Sequence, residues 1–133
     1  MKICIATHGR FGEELVKSAS MILGPLENTI TFSLLPEESG EEFYTKILNE
    51  LEKYKSEKFI FLVDLFGGTP CNMVALVSRD YNIELVTGLN LPMFMEVYMS
   101  YKESDDITSI AIKTCENSAI DVIKKFRKEK NCE

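Results

Sequence analysis

The sequence predicts an α/β fold with one open parallel sheet, strand order 2-1-3-4, and helices on both faces. Three observations lead there. Strand-like and helical segments alternate along the chain, which implies right-handed βαβ crossovers and parallel strands. Lys58-Phe-Ile-Phe-Leu-Val-Asp64 is continuously apolar, as expected of a central strand covered on both faces. Thr29-Ile-Thr-Phe-Ser-Leu34 alternates strictly, as expected of an edge strand with one buried face.

The elements follow in order. Lys2-Ile-Cys-Ile-Ala-Thr7 reads as a short apolar first strand. From Phe11, apolar residues at Leu15, Val16, Ala19, Ile22 and Leu23 have helical spacing, and Gly24-Pro25 stops the helix. After the second strand, Ser39 with Glu42 fits a capping box. The helix it opens presents Phe43, Ile47, Leu48, Leu51 and Tyr54 on one side. Beyond the third strand, Thr69 is an N-cap type and Pro70 suits the first helical position, so a third helix should run to about Arg79. Asn82–Thr87 reads as the fourth strand, and Asn90-Leu91-Pro92 opens a helix through Tyr101. The stretch from Asp105 to Lys128 is expected to be mainly helical, its apolar positions being Ile107, Ala111, Cys115, Ala119, Val122, Ile123 and Phe126. Within it Ile107 to Lys113 is rich in β-branched residues, which also suit a strand.

With 133 residues, 45% of them hydrophobic, and no linker or repeat, residues 1–133 are read as a single domain. A net charge of −6 speaks against nucleic acid, which is bound through lysine and arginine clusters. The one basic run, Lys124-Lys125-Phe126-Arg127-Lys128, fits the solvated end of a helix. No apolar run approaches the roughly 18 residues of a membrane span. Met1 leads straight into an apolar strand, unlike a signal peptide, so a cytoplasmic location is expected. Cys4, Cys71, Cys115 and Cys132 lack zinc or thioredoxin spacing and read as reduced thiols, and neither a metal nor a cofactor is expected.

The predicted order makes the chain turn opposite ways after strands 1 and 3, opening a crevice at their carboxyl ends. His8, the chain's single histidine, and Asp64 stand at those two ends. A lone histidine after a strand is often an ordinary satisfied polar group. Here a carboxylate and the loop Leu65-Phe66-Gly67-Gly68-Thr69-Pro70 converge on the same place. A carboxylate bonded to one imidazole nitrogen fixes the tautomer and leaves the other lone pair free to attack. Gly67 and Gly68 let backbone amides approach an anion, and the helix begun at Pro70 favours negative charge at its N-terminus. The Thr69 hydroxyl has two uses, capping the helix or binding a phosphoryl oxygen, and the sequence leaves both open. Arg10 reads as an exposed arginine, and Cys71, at the helix start, lacks an activating partner. Phe66, Leu91 and Met93 are expected around the crevice, and the six methionines to serve largely as core filler.

Ala6-Thr7-His8-Gly9, Asp64-Leu-Phe-Gly-Gly-Thr-Pro-Cys-Asn72 and Gly88-Leu-Asn-Leu-Pro-Met93, in this order, resemble the mannose-family EIIA domain of the bacterial phosphoenolpyruvate-dependent sugar phosphotransferase system (PTS). The resemblance implies a four-stranded parallel sheet and a homodimer. It implies that His8 takes a phosphoryl group from HPr on its solvent-facing nitrogen and passes it to a IIB subunit, with IIC/IID membrane subunits engaged indirectly. It implies too that Asp64 holds the other nitrogen and that Thr69 lies near the phosphate. Some family members continue into a fused IIB domain, and here a separate IIB polypeptide is expected. Family dimers can exchange a C-terminal strand, and no convincing strand follows Lys113.

Two alternatives stay within phosphotransfer or its control. One is the phosphotransfer subunit of a dihydroxyacetone kinase system. The other is a regulatory module that binds partners according to the phosphorylation of His8. A phosphohistidine hydrolase is disfavoured, because such enzymes use a second histidine and arginines to clamp the phosphate.

Overall fold

The computed structural model describes residues 1–131, so Cys132 lies outside the described residues. The order is β1 (Lys2–His8), α1 (Phe11–Leu23), β2 (Thr29–Leu34), α2 (Gly40–Leu51), β3 (Lys58–Val63), α3 (Thr69–Val77), β4 (Asn82–Thr87), α4 (Leu91–Ser100), α5 (Ile107–Asn117) and α6 (Val122–Asn131), with a 3-10 turn at Glu52–Tyr54. The strands form one parallel sheet in the order β2-β1-β3-β4, as expected.

Alternate residues of the two central strands enter two separate cores. Ile3, Ile5, Ile60 and Leu62 pack with Leu15 and Ala19 of α1, Met93, Phe94 and Val97 of α4, and Ile107 and Ala111 of α5. Cys4, Ala6, Phe59, Phe61 and Val63 face Phe43, Ile47 and Leu51 of α2 and Val74 and Val77 of α3. This double cover is why the third strand reads as an unbroken apolar run. On the edge strand β2, Phe32 stacks on Phe61 with ring centroids 5.8 Å apart.

Several expectations are corrected. Along α1 the buried stripe is Gly12, Leu15 and Ala19, and Ile22 is exposed. α3 starts one residue off the expected frame: Gly68 is the N-cap, Thr69 the first helical residue, and the helix ends at Val77 instead of Arg79. The stretch after Asp105 forms two helices, separated by Ser118 to Asp121. Ile107–Lys113 is helical because Asp106 caps it through the Ser109 amide (3.3 Å) and Ile107 and Ala111 are buried, so packing overrides β-branched preference. On α6 the expected apolar positions Val122, Ile123 and Phe126 are all exposed. Met93 is fully buried, but Met21 and Met99 are exposed, so methionine is only partly a core residue here.

Candidate functional site

The chain leaves β1 for α1 on one face of the sheet and β3 for α3 on the other. That divergence opens the carboxyl ends of the two central strands. His8 is the last residue of β1, and Asp64 directly follows β3. Parallel pairing matches Ala6 with Val63, so the next residues of each strand rise side by side.

Both N–H groups of His8 reach one oxygen of Asp64. The backbone amide donates to Oδ2 at 3.0 Å, and Nδ1 lies 2.9 Å from the same atom. An ionised carboxylate only accepts, so Nδ1 carries the proton of the neutral ring and Nε2 keeps its lone pair. Among the described residues, the buried Oδ1 of Asp64 has no hydrogen-bond partner. The carboxylate's bonding is thus directed wholly at His8. The imidazole is 48% exposed and Asp64 only 15%. The acceptor nitrogen therefore belongs to an open ring backed by a sheltered anion.

The glycine loop closes against the ring. A Cβ on Gly68 would stand 2.7 Å from His8 Cε1 and 3.4 Å from Nε2, so any side chain there collides with the imidazole. Gly68 is therefore required by the ring itself, a role that its sequence position beside an anion site did not suggest. Its amide turns back to the Leu65 carbonyl at 3.4 Å. Gly67 takes the left-handed conformation, with φ +80°, that L side chains rarely adopt. As the first residue of α3, Thr69 does not cap it, and its hydroxyl makes no hydrogen bond among the described residues. That removes the capping use and leaves the hydroxyl free at the helix end, where negative charge is favoured.

Asn72 has a role in the loop that the sequence does not announce. Its Nδ2 donates to the Gly67 carbonyl at 3.1 Å, tying the first turn of α3 to the loop. A side-chain amide five residues after a glycine, in the first helical turn, was the available signal.

The other named residues lie apart from this chemistry. Arg10 is exposed and paired with Glu13 at 3.1 Å. Cys71 is buried in the core beneath α3. Burial pushes the Cys4 thiol well above the ordinary range, consistent with a hydrophobic role. Phe66 is 83% exposed and lines a shallow groove with Leu85, Thr87, Ile112 and Cys115, and Leu91 is half-buried. Met93 is not at the crevice: it fills the core, because the Asn90 cap (2.9 Å to the Met93 amide) turns α4 so that this side chain points inward. Among the described residues, no cluster of three metal-ligating side chains occurs and no helix is long and apolar enough to cross a membrane.

A family model described as the PTS system fructose IIA component, EIIA-man, matches residues 2–115. The chain belongs to the mannose-type EIIA family. The mannose-specific EIIAB component of Escherichia coli K12 is 34% identical over 117 residues, which cover 84% of this chain and 36% of that protein. The chain thus spans about a third of the length of the EIIAB relatives it matches. The fructose-specific EIIA component of Bacillus subtilis is 33% identical over 99 residues, covering 73% of this chain and 68% of the relative. Among solved structures, the phosphotransferase system component EIIA from Streptococcus agalactiae superposes with a TM-score of 0.85 at 27% identity, over 92% of this chain and 98% of that one. The α/β sheet of this EIIA chain is the one its relatives use.

Proposed function

We propose that this EIIA chain is the phosphocarrier of a sugar PTS, taking a phosphoryl group from phospho-HPr on His8 and delivering it to a IIB unit. One observation carries the reading: Asp64 holds Nδ1 of a half-exposed ring, leaving Nε2 as a positioned, accessible nucleophile. A phosphoryl group borne on another protein's histidine needs an acceptor it can approach in line, and an open ring at the end of a sheet provides one.

In the transfer, the Nε2 lone pair forms a bond to phosphorus while the donor's P–N bond breaks, its electron pair staying on the donor imidazole. Asp64 keeps Nδ1–H in place and balances the positive charge that develops on the ring. The amides of Gly67 and Thr69, with the Thr69 hydroxyl, receive the phosphoryl oxygens at the N-terminus of α3, and the Gly68 amide joins them by giving up its long 3.4 Å bond to the Leu65 carbonyl. No metal or cofactor is needed for this chemistry. Leu65 and Phe66, exposed on the loop whose Gly68 meets the ring, give partner proteins an apolar foothold.

In this reading the protein works in the cytoplasm and engages the IIC/IID membrane subunits only through IIB. It pairs as a homodimer, supported by the uncovered apolar side chains of α6. A regulatory role set by the phosphorylation of His8 is compatible with the same site. Mannose-, fructose- and sorbose-specific relatives are 34%, 33% and 31% identical, so the likeness singles out no one sugar.

The test is incubation with labelled phosphoenolpyruvate, Enzyme I and HPr. Wild-type chain should gain one acid-labile phosphate, and His8→Ala none. An unlabelled wild-type chain in a mixture where HPr is labelled ends the carrier reading.

A further inference from the structure

We propose that Thr7 is a positioning residue for His8, its buried hydroxyl fixing the turn that aims the imidazole at Asp64. The inference rests on the phosphoacceptor reading of His8, but its geometry is independent of any partner. Thr7 is completely buried, one of only two buried polar residues in the described chain. Its Oγ1 donates to the Gly9 carbonyl at 3.3 Å and accepts from the Gly12 amide at 2.9 Å. These two bonds span both sides of the His8-Gly9-Arg10-Phe11 turn.

The Gly12 amide is one of the first N–H groups of α1, which have no intrahelical acceptor. Arg10, the N-cap of α1, makes no side-chain cap bond. Thr7 therefore supplies from the strand the cap that the helix lacks locally. The same hydroxyl holds the carbonyl of Gly9, the residue after His8, while the Gly9 amide donates to the Leu34 carbonyl at 2.7 Å. With the chain pinned before and after His8, its backbone N–H and Nδ1 are brought to the same Asp64 oxygen. Without the hydroxyl, the Gly12 amide loses its partner and the turn its tether. The ring then loses the alignment with Asp64 that selects its tautomer.

Three variants test this: Thr7→Val and Thr7→Ala, which lack the hydroxyl, and Thr7→Ser, which keeps it. Nitrogen-15 NMR reads the tautomer directly, because His8 is the chain's single histidine. Phosphoryl uptake from phospho-HPr gives kcat and KM, and circular dichroism reports folding. Expected is a single Nδ1–H tautomer in wild type and Thr7→Ser, and a mixed population in Thr7→Val and Thr7→Ala. The hydroxyl-free variants should lose about tenfold or more in kcat with KM little changed, as a misplaced reacting group does. A wild-type tautomer in both hydroxyl-free variants overturns the proposal. So does a Thr7→Ser variant as impaired as the other two, or unfolding of both hydroxyl-free variants, which makes the hydroxyl a requirement of the fold. If wild type takes up no phosphate, the carrier reading falls, and the tautomer measurement still decides the role of Thr7.

Discussion

The Cβ that residue 68 lacks is the space that His8 Cε1 occupies. Gly68→Ala should therefore push the ring off Asp64 and lower the rate of phosphoryl uptake by about tenfold to a hundredfold. Its midpoint in urea should fall far less than that loss suggests, because the loop is exposed. Uptake at the wild-type rate would show that the ring does not need the contact. His8 and Asp64 are legible in the sequence because each stands at the carboxyl end of an apolar strand, and predicted strand order alone brings those ends together. The division of labour between the glycines was not legible. Which of them meets the ring depends on how the loop folds back, here through the Asn72 bond to the Gly67 carbonyl. The frame of α3 is ambiguous in the sequence for a related reason. Proline is accepted at either of the first helical positions, since neither N–H has an intrahelical acceptor, so Pro70 does not fix the frame.

At the level of elements, local signals succeeded where the chemistry is local. The capping box of α2 closes as read, with Ser39 Oγ accepting from the Glu42 amide at 3.1 Å and Glu42 Oε1 accepting from the Ser39 amide at 3.3 Å. Ser39→Ala should cost about 1 kcal/mol, seen as a lower urea midpoint with unchanged slope. An unchanged midpoint would mean that the cap adds nothing to packing of Phe43, Ile47 and Leu51. α1 shows the opposite case. Nothing around Arg10 announces a cap, because the capping hydroxyl arrives from β1. The break between α5 and α6 was also hidden, as the apolar spacing continues across Ser118 to Asp121 while the burial does not.

The whole molecule is a sheet with a core on each face, and the run Phe59–Val63 is buried throughout because both cores meet there. Strand order, parallel pairing and the crevice were all readable from that run and its alternating neighbour. The state of the C-terminal helix was not, because amphipathic spacing does not say whether a face is covered within one chain. Ile120, Val122, Ile123 and Phe126 remain exposed, and the proposed homodimer is what would cover them. Light scattering should give about twice the 15.1 kDa chain mass for the wild-type protein. A mass of one chain at micromolar concentration removes the dimer without touching the site.

Phosphoryl transfer through this site requires that Nε2, the imidazole nitrogen left free by Asp64, take the phosphoryl group. Phosphorus and nitrogen-15 NMR on the protein after enzymatic phosphorylation answers this at a single ring. The prediction is a phosphoryl group on Nε2 of His8, with the proton retained on Nδ1 against Asp64. A phosphoryl group on Nδ1, or on any residue other than His8, contradicts it.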